Sequence, residues 1–510
     1  MRTRELHILL SILMGFAGTA YAQDSYDAQT LATSDLNGTA RFVAMGGALG
    51  ALGGDVSVMS TNPAGTAMYR KSDAAITISE LFTESKGAMG HDNYRMSLDQ
   101  GGVVIALDMN NPTSKGLQFI NFGVNYQKKR NFFTNQLTDI NLGDKFSQTW
   151  QIASMANDAM YDARKQELMY YDFYGTMLEM ATYEENTVLV DMVDDKGNTL
   201  YDEYGNALYS GVAGQNAYYE RFTYGANMQA DVNLSFNISD RFFIGASMGV
   251  YDIDYNRESF YQELGTDGNC YDFTNWYKTK GEGFDAKIGF ICRPVEDSPF
   301  RFGITVHTPT WYRLTDANGS TLYYNDEYIT DAFNSEYDYN YRTPWKLGVS
   351  LGHTIGNFFA IGAEYEYQDM STAKYSEIGW IDHEYFRNVN KITEQTLKAQ
   401  HTLKIGAEFK PINEFAIRIG YNYVSSPFET NAYRTIGYDG VYTETDWVNW
   451  GDISRFTFGL GYRYKGGYFD ITYQYQGQKG DFYAFDDVEF LPTKIENNRS
   501  QVMATFGFRF

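Results

Sequence analysis

The stretch Gln501-Val502-Met503-Ala504-Thr505-Phe506-Gly507-Phe508-Arg509-Phe510 closes the chain, and its reading decides the fold. In an extended strand successive side chains point to opposite faces. Val502, Ala504, Phe506, Phe508 and Phe510 therefore share one side, and Gln501, Met503, Thr505, Gly507 and Arg509 share the other. The same period recurs upstream. Phe456, Phe458, Leu460, Tyr462 and Tyr464 alternate with Arg455, Thr457, Gly459, Gly461 and Arg463. Phe359, Ile361, Ala363, Tyr365 and Tyr367 alternate with Ala360, Gly362, Glu364, Glu366 and Gln368. Leu403, Ile405, Ala407 and Phe409 alternate with Lys404, Gly406, Glu408 and Lys410. One face is apolar; the other is small, polar or charged.

A soluble antiparallel sandwich also alternates, but its strands usually run about 5–6 residues. Many strands here are more than twice that long. The connections fall into two classes that largely alternate. Short turns occur at 110–115, 239–241, 295–298, 356–357, 411–414 and 465–467, and longer, acidic, Tyr-rich loops lie between them. Short turns on one rim and long loops on the other are the outer-membrane arrangement. The reading is an all-β transmembrane antiparallel β-barrel of 14 strands, near 73–84, 93–109, 116–134, 221–239, 241–261, 272–294, 299–316, 339–355, 358–374, 394–410, 414–427, 447–464, 468–483 and 498–510. An even count puts both ends of the barrel on the periplasmic side. Trp276, Trp311, Trp345, Trp447 and Trp450 fall at outer strand ends, as an interfacial girdle would, and Phe242, Phe300, Phe358 and Phe415 begin strands at the inner side.

Composition agrees. Tyr (43), Phe (35) and Gly (48) are abundant and Pro (9) is scarce. Many aromatics in a chain that is hydrophilic on average means that apolar residues are interleaved rather than blocked. The first 22 residues read as a secretory signal peptide: Arg2 and Arg4, the short apolar stretch 8–17, then Ala20-Tyr21-Ala22 with cleavage before Gln23. No later apolar run approaches the roughly 20 residues of a transmembrane helix. The formal charge is −23, and removing Arg2, Arg4 and Glu5 leaves −24, which argues against a nucleic-acid partner. Cys270 and Cys292 fall near opposite ends of one strand, beyond disulfide reach, and read as free.

Two regions depart from the strand pattern. Residues 23–72 carry the run Ala44-Met45-Gly46-Gly47-Ala48-Leu49-Gly50-Ala51-Leu52-Gly53-Gly54 and then Asn62-Pro63-Ala64-Gly65, which suits a closely packed segment of short helices and tight turns. The long connection 135–220 reads as an external loop with a helix over 148–182 bearing Trp150, Ile152, Met155, Met160, Leu168, Met169, Met177, Leu178 and Met180. These pack the helix onto the barrel mouth or line a tolerant apolar capture groove. A tandem octamer follows, Asp194-Asp195-Lys196-Gly197-Asn198-Thr199-Leu200-Tyr201 echoed by Asp202-Glu203-Tyr204-Gly205-Asn206-Ala207-Leu208-Tyr209, and reads as a small external hairpin.

With its fourteen strands, its signal peptide and the segment Thr39-Ala40-Arg41-Phe42-Val43-Ala44-Met45-Gly46-Gly47-Ala48 leading to Ser60-Thr61-Asn62-Pro63-Ala64-Gly65, the chain resembles the FadL-type family of outer-membrane channels for long-chain fatty acids and other hydrophobic compounds. The resemblance spans the mature chain in architecture and is specific only in its first fifty or so residues. It implies an N-terminal lumenal plug, or hatch, over 23–72 in a barrel over 73–510. It further implies substrate held among outer loops, passed to a lumenal pocket and released sideways into the membrane through a kinked strand. The large helical loop follows the third strand here and later loops are shorter, which departs from the family.

Several residues become candidates on this reading. Asn62, Pro63, Ala64 and Gly65 form a gate that shifts or a structural cap, or both. The candidate lumen-facing charges are Arg418, Arg455, Arg463, Arg509, Lys404, Lys346, Glu364, Glu366 and Asp470. Arg418, Arg455 and Arg463 are expected contacts for a ligand carboxylate, against the alternative of a cross-strand ion-pair ladder. Gly123 marks an expected kink for lateral exit. Catalysis has no support: the six histidines are scattered, and no metalloprotease, nucleophile-elbow, phosphate-loop or CxxC motif occurs. Asp316-Ala317-Asn318-Gly319 reads as an Asx turn rather than a calcium loop. The expectation is a monomeric outer-membrane channel, not an enzyme, without cofactor or metal. It takes up hydrophobic small molecules such as long-chain fatty acids, contacts outer-membrane lipid, and presents Phe510 to the barrel-assembly machinery. The alternative is a FadL-like barrel serving as a binding or shuttle component of a cell-surface protein-secretion system.

Overall fold

The computed structural model describes residues 23–84, 91–111, 115–165, 188–379, 384–434 and 444–510. The expected signal peptide and the part of the expected loop helix beyond residue 165 lie outside them. Alternating apolar and polar residues build fourteen wall strands: β1 (Asp73–Thr83), β2 (Tyr94–Asp108), β3 (Leu117–Asn131), β4 (Gly214–Ile238), β5 (Phe242–Gly265), β6 (Cys270–Cys292), β7 (Arg301–His307), β8 (Lys346–Ile355), β9 (Phe359–Asp369), β10 (Ala399–Ile412), β11 (Phe415–Val424), β12 (Trp447–Tyr464), β13 (Gly467–Tyr483) and β14 (Arg499–Arg509). Each pairs antiparallel with the next. The circle closes between β1 and β14, from Asp73 opposite Arg509 to Thr83 opposite Arg499. The rim carrying Asp73 and Arg509 is the inner rim; the other is the outer rim.

The closing strand that decided the reading sits where its pattern puts it. Val502, Phe506 and Phe508 face outward and are exposed, while Gln501, Met503 and Thr505 are buried inward. Exposed Ile105, Val232, Ile288, Leu347, Ile405 and Phe456 continue the apolar outer belt around the wall, the surface hydrocarbon would cover. Trp311 and Trp345 lie on that outer surface, Trp311 stacked on Phe284 at 5.3 Å. Trp447 does not belong to a girdle: it is buried and stacks on Tyr483 at 4.9 Å. Its strand position was right, but its ring is not on the exposed surface.

Three strands expected to be continuous are broken. Strand β7 resumes as Trp311–Tyr324, β8 is preceded by Glu327–Arg342, and β9 resumes as Lys374–Glu377. The first two breaks contain Pro309 and Pro344, which have no N–H for a ladder. Threonines stitch them: the Ala286 N–H donates to Thr308 Oγ1 at 3.0 Å and the Thr310 N–H donates to Thr343 Oγ1 at 2.8 Å. The expected Asx turn at 316–319 is instead part of Trp311–Tyr324, with a register shift at Asp316/Asn318. Asp316 points into the lumen and is buried.

Residues 135–220 hold less loop than expected. Thr134–Asn141 pairs with the outer part of β4, so the wall rises on both sides before helix Gln148–Lys165 begins. The octamers form two turns rather than one hairpin, with Gly197 and Gly205 at φ 82° and 86°, stacked through the Leu200 N–H to Met192 O and the Leu208 N–H to Leu200 O.

Residues 23–72 run inside the barrel as a string of capped short helical turns. Helix α1 (Ser25–Ala32) is capped by Asp24 and α2 (Ala40–Ala44) by Thr39; the 3-10 turns Val56–Ser60 and Pro63–Met68 are capped by Asp55 and Asn62. Each cap side chain accepts an N–H of the first turn, satisfying donors that a short helix leaves orphaned. The lumenal segment is thus locally specified, but its seat is made by the wall.

Candidate functional site

The seat is a row of lumen-facing glycines. Gly352, Gly362, Gly406 and Gly420 stand opposite one another across β8, β9, β10 and β11. A Cβ on Gly362 would lie 2.1 Å from the Ala48 carbonyl oxygen, and one on Gly406 2.1 Å from that of Met45. Backbone therefore lies directly on backbone. The Gly-rich run 44–54 and the strand glycines are two halves of one contact. Around it the Thr457 and Thr472 hydroxyls donate to the carbonyls of Ala44 and Ala40, and the Ala40 N–H donates to Thr505 Oγ1 at 2.7 Å.

Asn62-Pro63-Ala64-Gly65 is seated the same way on the neighbouring strands β5 and β6. A Cβ on Gly245 would meet Pro63 O at 2.3 Å and one on Gly289 would meet Asn62 Oδ1 at 2.0 Å. Asn62 Oδ1 accepts the Ala64 N–H at 3.2 Å, the Asn233 amide donates to Pro63 O, and the Asn121 amide donates to Thr66 O and Tyr69 O. Gly65 packs against Val58 and Gly53 with no room for a side chain.

The three expected carboxylate contacts do not converge. Arg418 is spent on Glu408 and Asp470, its cross-wall partners; Glu408 also holds Arg41 of the lumenal segment at 3.2 Å. Arg455 donates to Asn422 Oδ1 and Gln476 Oε1 and lies 3.8 Å from Asp35. Arg463 is exposed at the inner rim over the Tyr468 ring. Lys404 bridges Glu364 and Glu366. Arg418 and Lys404 thus belong to a cross-strand ion-pair ladder. Two lysines stand outside it. Lys129 and Lys346 border a lumenal cavity of about 110 Å³ together with Lys287, His307, Thr308 and Thr343. Lys129 Nζ sits 4.5 Å from the centre of the Tyr251 ring and has no carboxylate partner among the described residues. Lys129 follows Asn121, Gly123, Asn125 and Gln127 on the inward face, so alternation marks it, and a register shift lies beside it between Lys128 and Arg130.

That shift belongs to the wall's main irregularity. Gly123 does not bend its strand: it stays in register with Val104 and Asn233, and its missing side chain makes room for Met59. Strand β3 instead leaves β2 farther out. Pairing between them ends at Gln100 opposite Gln127, whereas β2 continues on β1 as far as Tyr94, and β3 stays on β4 as far as Asn131. In the space between, the lumenal segment supplies the partners. The Asp35 N–H donates to Lys129 O at 2.9 Å, the Asn131 N–H to Asp35 Oδ2 at 2.9 Å, the Asn37 amide to Lys128 O at 3.1 Å, and the Gln127 amide to Asn37 O at 2.6 Å. Arg455 and Arg499 flank Asp35; burial opposes its charge, but these guanidiniums and Arg130 outweigh that and hold its carboxyl below the usual range. The gap is also spanned by the buried pair Lys128 and Asp99 at 3.6 Å.

The outer lumen is built differently. Helix α1 stands in a buried cluster of Tyr251, Tyr255, Tyr277, Tyr312, Tyr339 and Tyr341, against which Ala28, Leu31 and Ala32 pack. Phenols hold its backbone: Tyr341 donates to Ala28 O at 2.6 Å, Tyr375 to Asp24 O at 3.0 Å and Tyr385 to Gln23 O at 2.9 Å. Tyr385 comes from α3 (Glu384–Thr396), between Lys374–Glu377 and β10. Asp316 accepts from Tyr277, Thr279, Tyr339 and the Gln23 amide. Arg434, in the connection from β11 to β12, donates to Asp24 Oδ2 at 2.7 Å and to the carbonyls of Glu444 and Asp446. Burial, reinforced by Asp24, pushes the Asp27 carboxyl up to about 8, and Arg257 at 3.7 Å offsets this only in part. Among the described residues no group of His, Cys, Asp and Glu is placed to hold a metal ion.

No protein-family model and no curated protein sequence matches the chain. Among solved structures it is similar to the toluene transporter TodX of Pseudomonas putida, at 12% identity over 94% of this chain and 100% of that one, with a TM-score of 0.49. It is also similar to the toluene transporter TbuX of Ralstonia pickettii (12% identity, 93% and 99% covered, TM-score 0.49) and to a FadL homologue of Pseudomonas aeruginosa (12% identity, 94% and 98% covered, TM-score 0.46).

Proposed function

We propose that this chain is an outer-membrane channel that takes up hydrophobic small molecules, long-chain fatty acids among them, and releases them sideways past its lumenal segment. The observation that carries the reading is the gap between β2 and β3, where residues 35–37 stand in for β2 along 128–131. A segment that closes both the lumen and the wall opens both when it moves. A straight aqueous pore would not serve such a ligand, because leaving a wet lumen removes no apolar surface from water; a side exit lets it pass into hydrocarbon directly.

The cavity beside the gap supports a ligand with an acidic end. Lys129 and Lys346 face it without carboxylate partners among the described residues, and a carboxylate gains a charge-assisted bond there. At about 110 Å³ the cavity is well below the roughly 300–1,000 Å³ of pockets that enclose a drug-sized ligand. Binding of a long-chain acid therefore requires the lumenal segment to yield space.

The test is a wall staple. Cysteines replace Asp99 and Lys128, serine replaces Cys270 and Cys292, and a short bis-maleimide joins the pair in cells that depend on this chain for oleate uptake. Uptake is expected to stop on cross-linking while the unlinked variant transports normally. Uptake that continues through the stapled wall would remove lateral release from the reading.

A further inference from the structure

We infer that helix α1 is a built-in stand-in for the transported molecule: it fills the outer lumenal site, and an amphipathic carboxylate enters by displacing it. This rests on the uptake reading above and adds what occupies the site at rest.

The helix presents two acid groups, Asp24 and, 3.7 Å from Arg257, Asp27, beside an apolar side. Asp24 meets the Arg434 guanidinium at 2.7 Å, while Ala28, Leu31 and Ala32 cover the tyrosine wall. The remaining bonds use acceptors that are not peculiar to a peptide. Tyr341, Tyr375 and Tyr385 each donate a phenol O–H to a carbonyl oxygen of residues 23–28. With the helix gone, the site holds a guanidinium, phenol donors and a broad aromatic surface. An acid group bonded to Arg434 and one phenol, with an aliphatic or aromatic body on the wall, takes the place of Asp24 and the apolar side of the helix, and water entering behind it pairs with the other two phenols.

Two features make the exchange feasible. The helix has eight residues, shorter than the roughly 12–15 at which isolated helices become even marginally stable, so its shape depends on the site. The chain behind it is anchored independently: residues 40–54 lie on the glycine row and pair with wall threonines. Between them Gly38, at φ 144°, holds a backbone conformation that L side chains rarely adopt. The helix can leave without unseating α2. Its last residue, Ala32, and Ser34, Asp35 and Asn37 border the small cavity that also reaches Lys129. Departure of the helix would therefore join the outer site to that cavity and loosen residues 35–37 at the wall gap.

The test uses the full-length protein in phosphatidylcholine nanodiscs, with oleate as the anionic probe and oleyl alcohol as its neutral counterpart. Hydrogen exchange of amides 25–33 is followed as each is added, and binding of both is measured. Oleate is expected to accelerate exchange in α1 by about tenfold or more, a tenfold change corresponding to about 1.4 kcal/mol, and to leave amides 40–54 protected. Asp24→Asn keeps a good N-cap but loses the charge at Arg434, so it is expected to bind oleate about tenfold tighter with a smaller change for oleyl alcohol. Arg434→Gln is expected to erase the preference for oleate. Oleate binding with α1 still protected, or an unchanged oleate affinity in Asp24→Asn, overturns the stand-in and leaves the uptake reading intact. If wild type and both variants bind neither probe, the uptake reading falls and the stand-in with it.

Discussion

The two halves of the barrel hold the same lumenal segment by opposite means. In the inner half backbone lies on backbone over the glycine row, and buried charges pair across the wall. In the outer half side-chain phenols and two guanidiniums hold a short helix by its carbonyls and by the acid groups of Asp24 and Asp27. The inner contact is a matter of shape and admits no substitute, since any added atom collides with main chain. The outer contact is a matter of group chemistry, and any molecule with the right acceptors can replace the helix. One end is built as an anchor and the other as a site that can be exchanged.

The most damaging test of the anchor is Glu408→Ala. It leaves the Arg41 and Arg418 guanidiniums buried without their shared carboxylate, and breaking a buried pair in this way costs about 3–5 kcal/mol. A lowered unfolding temperature and protease cleavage within 40–69 are expected; a variant as stable as wild type would show that shape alone anchors the segment. Gly406→Val comes next. Its Cβ would approach Met45 O at 2.1 Å, and overpacking costs typically about 1–3 kcal/mol. Single-channel conductance in planar bilayers is expected to rise as the inner seat is lost, and an unchanged conductance would refute the anchor role of the row.

The remaining tests sharpen the exchangeable end. Asp27 is held protonated up to about pH 8, against about 4 when unfolded. Between those values the folded state binds the extra proton, so the stability it confers is full below the unfolded value and is lost as pH rises toward 8. The slope is at most about 1.4 kcal/mol per pH unit. Exchange protection of α1 is expected to fall from about pH 4 to about pH 8, and Asp27→Asn to flatten the profile. A profile that is equally steep in both proteins would assign the effect elsewhere. Tyr341→Phe removes one donor to Ala28 O and is expected to cost about 1 kcal/mol. It should be seen as faster exchange in α1 with no change at 40–54; equal effects on both would mean that the halves are coupled.

Much of the barrel could be read along the chain. The fourteen strands, the closing strand at Phe510 and the turn-rich character of 23–72 follow from a period of two, from loop lengths and from glycine. The errors have a common cause. Pro309 and Pro344 break strands whose alternation runs straight through them, because alternation does not report which N–H groups must donate. Asp316-Ala317-Asn318-Gly319 has turn composition but lies in a strand, held there by two neighbours and by the tyrosines that its buried carboxylate satisfies. Gly123 was chosen as a kink because strand glycines suggest one, yet it makes room for Met59. Arg418, Arg455 and Arg463 were chosen for their face, and a face says nothing about who already occupies a charge.

The sequence by itself determined the wall, since alternation is a local property and a strand that must face hydrocarbon on one side has no other way to be written. It also determined the caps of the lumenal helices, each set by a side chain bonding its own next turn. Only the tertiary structure decided where the segment rests, which lysines stay without carboxylate partners, and that residues 35–37 rather than a strand close the wall beside β3. Those features depend on groups far apart in sequence meeting across the lumen, and the period of a strand carries no information about its partner on the opposite wall.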